Sequence, residues 1–342
     1  MDRHRHLRGP GRDAAGPAAR PVRNKAADVM TITRYANAIT VVVLALAFAA
    51  TPLVSADEGV LYFAALIMAW SIFALGYYIS FGLAGLLSFG HAAFFGMGAY
   101  AAAWTMLSAE LPFSAGMLAA IVVGGATAGL FGLIGRRVSG LYFALMTLML
   151  AELIAIVMTT RLRQLSGGVD GLPGVPRPHA FDIDFFNAAN FYWVIFGFFV
   201  AALAFCGVLQ ASPLGQALRG IRQNPVRAEQ VGFNVGALRL TALILSGAVS
   251  GLAGALLASL MMYVSPQLLG WKISGDVVIM TLLGGSGHLI GPVIGVALVE
   301  LLREQLSAHT EHWYGLLGVI FIVCTIYLPN GIAGLGKKLW RR

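Results

Sequence analysis

Apolar residues fall along this chain in long runs separated by short polar or charged stretches. Runs at 36–54, 59–80, 83–107, 115–135, 141–160, 191–211, 239–260 and 313–329 approach the roughly 20 residues a membrane-spanning helix needs. They are too long and too continuous for barrel strands, and a bilayer interior offers backbone groups no water, so helices are expected. A further apolar region, 275–303, is interrupted by Gly284-Gly285-Ser286-Gly287-His288. The pattern predicts an all-α polytopic membrane protein with about eight to ten transmembrane helices, some of them broken or re-entrant.

Charge orients the spans. Residues 1–34 hold eight of the 23 Lys/Arg, which places the N-terminus inside. Arg136 and Arg137 then fall inside, as do Arg219, Arg222, Arg227 and Arg239. Residues 55–58 and 108–114 fall outside, with Asp57, Glu58 and Glu110 and no Lys or Arg. Lys337, Lys338, Arg341 and Arg342 place the C-terminus inside, which demands an even number of crossings. Region 275–303 must therefore start and end outside, re-entering or crossing twice as short half-helices. Only Arg161, Arg163, Arg177, Lys272 and Arg303 depart from this scheme. The chain reads as a disordered basic tail (1–34, with Met30 an alternative start), a transmembrane domain (35–336) and a basic cytoplasmic tail (337–342).

Two interrupted segments carry the candidate chemistry of a transport route. Ser88-Phe89-Gly90-His91 and Gly285-Ser286-Gly287-His288 each set a histidine just after glycine, one in each half of the chain. Paired glycine-interrupted segments are a pointer to a binding pathway, because freed backbone groups are tolerated only against protein or a cavity. Ser88, Gly90, His91, Gly285, Ser286, Gly287 and His288 are therefore pathway candidates. Close helix packing is the alternative role for such glycines. Glu152, inside the run 141–160, joins the candidates as an intramembrane acid with no local partner. Glu300 and Arg303 are three residues apart and are expected to neutralise each other on one helix face.

Residues 212–232 read SPLGQALRGIRQNPVRAEQVG. Ser212-Pro213 and Asn224-Pro225 each pair an N-cap with a first-turn proline, and Gly232 can end the second helix. Leu214, Ala217, Leu218 and Ile221 form one apolar stripe, so two short amphipathic helices meet at a cytoplasmic elbow with Arg219, Arg222 and Arg227 exposed. Helices this short need a surface, either the bilayer interface or a partner. If a partner takes the stripe, Asp at Leu218 or Ile221 is expected to uncouple the elbow without stopping insertion. On the other side, the loop 161–190 carries Gly167, Gly168, Asp170 and Gly171 as turn formers.

Composition narrows the class. The chain is 58% hydrophobic and 11% charged, with mean hydropathy +0.79, against about 25% charged in soluble domains. Its net charge of +8 reflects cytoplasmic flanks, not a nucleic-acid groove. Cys206 and Cys324 lie in apolar runs and resemble neither a disulfide pair nor a metal site. No HExxH, GxSxG or His/Asp cluster argues for a membrane enzyme. Gly331–Lys337 fits the spacing of a phosphate loop, but Lys338 stands where Ser or Thr is needed.

Several ordered motifs resemble one known family: GLAGLLSFGHAAFFGMGAY (82–100), RVSGLYFALMTLMLAEL (137–153), SGGVDGLPGVPRP (166–178), the 212–235 segment, YVSPQLLGWKISGDVVIMTLLGGSGHLIGPVIG (263–295) and LPNGIAGL (328–335). They are similar to the permease subunits of branched-chain amino-acid ATP-binding cassette importers, of the LivM type. The resemblance covers roughly residues 59–336. It implies half of a translocation pathway in a bacterial inner membrane, a second related permease, two cytoplasmic ATPases and a periplasmic binding protein. ATP and magnesium would sit on the ATPases, with no catalytic residue, cofactor or metal on this chain. The elbow residues Leu214, Leu218, Arg219, Ile221, Arg222, Pro225 and Arg227 match the family's coupling segment, and Gly167, Gly168, Asp170 and Gly171 its external loop. Urea and short amides are alternative cargoes of the same motifs. An ion-coupled secondary transporter, relaying protons through Glu152, His91 and His288, is the alternative of another class.

Overall fold

A computed structural model describes residues 38–55, 57–178, 188–309, 312–327 and 331–334. The expected basic tails, Met30 and the Lys-rich end of the phosphate-loop look-alike lie outside the described residues. The helices are α1 (Ala38–Val54), α2 (Glu58–Tyr77, continued by a π-helical turn Tyr78–Leu83), α3 (His91–Leu107), α4 (Phe113–Ile134) and α5 (Leu141–Thr160). They continue with α6 (Ala188–Ala211), α7 (Pro213–Gln223), α8 (Pro225–Gln230) and α9 (Val235–Met261). The last are α10 (Trp271–Gly284), α11 (Ile290–Ser307) and α12 (Trp313–Tyr327). Among the described residues, five segments, Glu58–Leu83, Phe113–Arg137, Leu141–Thr160, Ala189–Ala211 and Val235–Met261, are long and apolar enough to cross a membrane. The protein is an all-α polytopic membrane protein. One short antiparallel pairing, β1 (Leu172–Pro173) with β2 (Tyr263–Val264), ties the loop after α5 to the end of α9.

α9 is the axis of the bundle, packed against α2, α3 and α4. Its Gly247 and Gly251 are four residues apart and face Ala120, Gly124 and Ala128 of α4, which repeat at the same spacing. In lipid no hydrophobic force draws helices together, so small residues that let backbones touch supply the contact. A Cβ on Gly98 would lie 2.3 Å from the Gly251 Cα, so α3 enters the same close-packed seam. The large buried rings, among them Phe73, Tyr77, Phe95 and Tyr100, gather where α2 meets α3.

The run 83–107 is not one helix. The π-turn ends at Leu83, residues 84–90 are irregular, and α3 starts only at His91. Gly85 takes a left-handed φ of 72°, which a side chain disfavours, and this turns the chain out of α2. Of the four glycines in this stretch, Gly85 and Gly90 serve the break, whereas Gly96 and Gly98 are packing sites inside α3.

The interruption in 275–303 is also real. α10 and α11 form a tight hairpin, in which a Cβ on Gly295 would clash with the Met280 carbonyl and one on Gly284 with the Gly291 carbonyl. α10 has 14 residues and is about 21 Å long, too short to cross a bilayer of about 30 Å. The backbone amide of Trp271 donates to Glu152 Oε1 at 2.9 Å. Glu152 lies eight residues before the end of α5 at Thr160, so α10 begins about 12 Å inside the bundle measured along α5. Residues 265–270, which include a 3-10 turn at Pro266–Leu269, therefore descend before the half-helix starts.

Candidate functional site

Three groups of sequence candidates emerge, at different places in the bundle. The first is a sealed junction at the start of α3. Ser274 of α10 accepts the Ala92 amide at 2.9 Å, Thr147 of α5 accepts the Phe89 amide at 3.2 Å, and Ser88 accepts the Gly90 amide at 3.3 Å. These hydroxyls occupy donors that a helix start leaves without intrahelical partners. The start of α3 thus meets the first turn of α10 through Ser274, which the sequence did not single out. His91 sits beside this cap, with its ring among Phe73, Tyr77 and Phe94. Ser246 Oγ donates to the Gly76 carbonyl at 2.5 Å, so it must accept from His91 Nε2–H at 2.7 Å. Ser88, His91, Thr147, Ser246 and Ser274 are all fully buried, so in this conformation His91 knits α2, α3 and α9 together and faces no opening.

The second group is the hairpin tip. Gly285 is buried, Ser286 and His288 are half-buried and Gly287 is exposed. A Cβ on Gly82 would lie 2.9 Å from the Ser286 carbonyl, and one on Gly331 would meet the Gly285 backbone. The tip therefore rests on the end of α2, at the same end of the molecule as α7. There the Arg222 guanidinium donates to the Gly82 carbonyl, lies 5.9 Å over the Phe81 ring and packs on Gly85. Cationic donors suit the orphan carbonyls at a helix end.

The third group is charged. Arg303 bonds Glu300 at 3.0 Å, as expected, and also Asp276 of α10 at 2.9 Å, a partner 27 residues away that local spacing could not reveal. Trp70 of α2 stacks 5.9 Å from the guanidinium. Glu152 has no local partner and instead takes the Trp271 amide at 2.9 Å. Its partner is remote in sequence, at the start of a half-helix.

The elbow exists as two helices, capped by Ser212 and Asn224 with prolines at their first positions. Its apolar stripe is not open to a partner, which corrects the expectation. Leu218 and Ile221 are buried in the bundle's own core, and Leu214 packs against it. Two short amphipathic helices satisfy their need for a surface within the chain. Arg219 is half-buried and donates to the Gln210 carbonyl at 2.9 Å, so of the three arginines only Arg222 and Arg227 are exposed. The outer side presents Val226, Val231 and Phe233, at 63%, 74% and 47% exposure, residues that lie outside the apolar stripe Leu214–Ile221. A groove of about 690 Å³ runs between the two helices, with Gln216, Gly220, Pro225's neighbour Asn224, Arg227 and Val231 on its walls.

The loop after α5 is pinned over the opposite end. Ser166 donates to the Met158 carbonyl at 2.6 Å and accepts the Gly168 amide at 3.1 Å, while Tyr100 and Trp104 donate to the Ser166 and Leu165 carbonyls. Gly167 and Gly171 face one another so closely that a Cβ on Gly167 would clash with the Gly171 carbonyl. Tyr263 donates to the Asp170 carbonyl at 2.7 Å. Arg177 donates to the Leu260 carbonyl at 2.9 Å and covers the Phe191 ring at 5.0 Å. Burial pulls its pKa below the usual arginine value, and nearby Tyr62 opposes that shift. The exposed tip is Val169–Asp170, and residues 179–187 lie outside the described residues.

Half-helices, an intramembrane ion network and a docked surface elbow define a multi-pass membrane permease, and among the described residues no cluster suits a metal ion. The chain belongs to the family described as branched-chain amino acid transport system / permease component, whose model matches residues 59–325. It is 28% identical to the high-affinity branched-chain amino acid transport system permease protein LivM of Escherichia coli K12, over 81% of this chain and 70% of that protein. The Salmonella typhimurium LivM is 27% identical over the same shares. The Escherichia coli K12 permease protein LivH is 24% identical over 78% of this chain and 91% of its own length. No solved structure matches the chain. The protein is a transport permease, one subunit of a larger system, and not an enzyme.

Proposed function

We propose that this chain is the membrane-spanning permease subunit of an ATP-binding cassette importer, forming half of the translocation pathway for branched-chain amino acids. A related permease supplies the other half. Two ATPases bind the elbow from the cytoplasm and carry the ATP and magnesium, and a periplasmic binding protein delivers substrate to the capped end. The protein then sits in a bacterial inner membrane with both termini cytoplasmic, as the positive charges at the elbow end favour.

One observation carries this reading. The elbow is clamped to the bundle by Leu218, Ile221 and the Arg222–Gly82 bond, yet its outer side offers exposed Val226, Arg227, Val231 and Phe233. A rigid handle with an apolar outer rim is what a motor subunit needs, and exposed apolar residues in one patch mark a protein contact. Arg222 links that handle to Gly82, which touches the hairpin tip at Ser286. A displacement of the elbow thus reaches both broken segments.

The test is reconstitution. Proteoliposomes holding this chain, its partner permease and the ATPases should take up leucine only with ATP inside the cytoplasmic face and binding protein outside. Uptake by this chain alone, driven by a proton or sodium gradient, would contradict the reading.

A further inference from the structure

Five ionisable side chains surround the start of α10 within the bundle: Glu152, Lys272, Asp276, Glu300 and Arg303. Charges at membrane depth are costly and face the bundle interior, a partner chain or water, not lipid. Three of them form one network, in which Arg303 bridges the two carboxyls of Asp276 and Glu300. Lys272 does not join them. It is exposed, and it forms no ion pair with a described residue. It lies four residues before Asp276 and so on the same face of α10. The Glu152 carboxylate adjoins it, because Oε1 takes the amide of the preceding residue, Trp271. Above them runs the segment 265–270, a 3-10 turn (Pro266–Leu269) packed through Leu269 against Gly96 of α3, with Gln267 exposed.

We infer that the open face of α10 lines the substrate route and that Lys272 and Glu152 together bind the head group of a zwitterionic α-amino acid. The Lys272 ammonium takes the carboxylate. Glu152 Oε2 takes the α-ammonium while Oε1 stays on the Trp271 amide. Two opposite charges at one depth, unpaired with each other, match a zwitterion. A neutral solute such as urea would leave both charges without a counter-ion and would not offset the cost of desolvating them. This assignment rests on the transport reading and adds to it a position for the amino-acid head group.

The experiment uses the complete complex, with Cys206 and Cys324 replaced by Ala. In the Lys272→Cys variant, a charged membrane-impermeant methanethiosulfonate should modify the new thiol. Val122→Cys, on the outward face of α4, should stay unmodified. Lys272→Gln and Glu152→Gln should each lower leucine uptake at least ten-fold, Lys272→Arg should retain most of it, and urea should not be carried. An inert thiol at 272, with Tyr263→Cys reactive as a control at the capped end, would overturn the assignment by placing this face against protein or lipid. Wild-type leucine uptake by Lys272→Gln would overturn it too, as would ATP-driven uptake of urea without leucine. In that last case the ATP-driven permease role survives, and the amino-acid cargo fails together with the site. Gradient-driven uptake without the ATPases would instead sink the importer reading while the labelling result still decides whether the face is wet.

Discussion

At the scale of single residues, the seam between α4 and α9 is the least forgiving place in the molecule. A Cβ on Gly251 would lie 2.3 Å from the Ala120 carbonyl, so neither helix can yield without losing the other's contact. Gly251→Val is therefore expected to destabilise the bundle by about 3 kcal/mol, the upper end of ordinary overpacking, because backbone cannot step aside as a side chain can. Thermal unfolding of the detergent-purified complex reads this directly, and an unchanged midpoint would refute the seam. His91 belongs to the same scale. Ser246→Ala leaves its Nε2–H buried beside the Gly76 carbonyl without the bridging hydroxyl, a loss of about 1–3 kcal/mol. The same thermal measurement should show a fall for Ser246→Ala comparable to that of a core cavity.

At the scale of elements, the elbow separates two kinds of substitution. Leu218 is fully buried in the chain's own core, so Leu218→Asp should lower the amount of folded permease in the membrane instead of selectively uncoupling it. Val231→Asp, on the outer rim, should leave the permease folded and reduce leucine transported per ATP at least five-fold. Equal folded yields for the two variants would refute the assignment of faces. The contrast also shows what the sequence could and could not convey. Capping residues and apolar spacing at 212–232 foretold both helices and their junction, because those signals are local. Which side faces inward was not foretold, since the covering surface comes from residues far along the chain. The same holds for Glu152 and Asp276, whose partners lie 119 and 27 residues away. The glycines of the run 83–107 foretold an interruption, but not that the helix stops at Leu83 and restarts only at His91, because hydropathy reads a buried loop and a buried helix alike.

At the scale of the whole molecule, the two ends do different work. One end is closed by the pinned loop, where Ser166, Asp170 and Arg177 are bound to α3 and α5, β2, and α9 respectively. The other gathers the elbow, the end of α2 and the hairpin tip around Gly82. Between them the half-helix α10 hangs from Glu152 and is held by Arg303. Motion of the elbow has a physical line through Arg222 and Gly82 to that hairpin, and the long axis of α9 holds the rest in place. The account stands on a motor subunit gripping the elbow's outer rim. Site-specific photo-crosslinking in the assembled complex addresses it most directly, with a photoreactive residue at Val231 in one sample and at Leu218 in another. The account predicts an adduct with the ATPase from Val231 and only intrachain adducts from Leu218; no ATPase adduct from Val231, with or without one from Leu218, would contradict it.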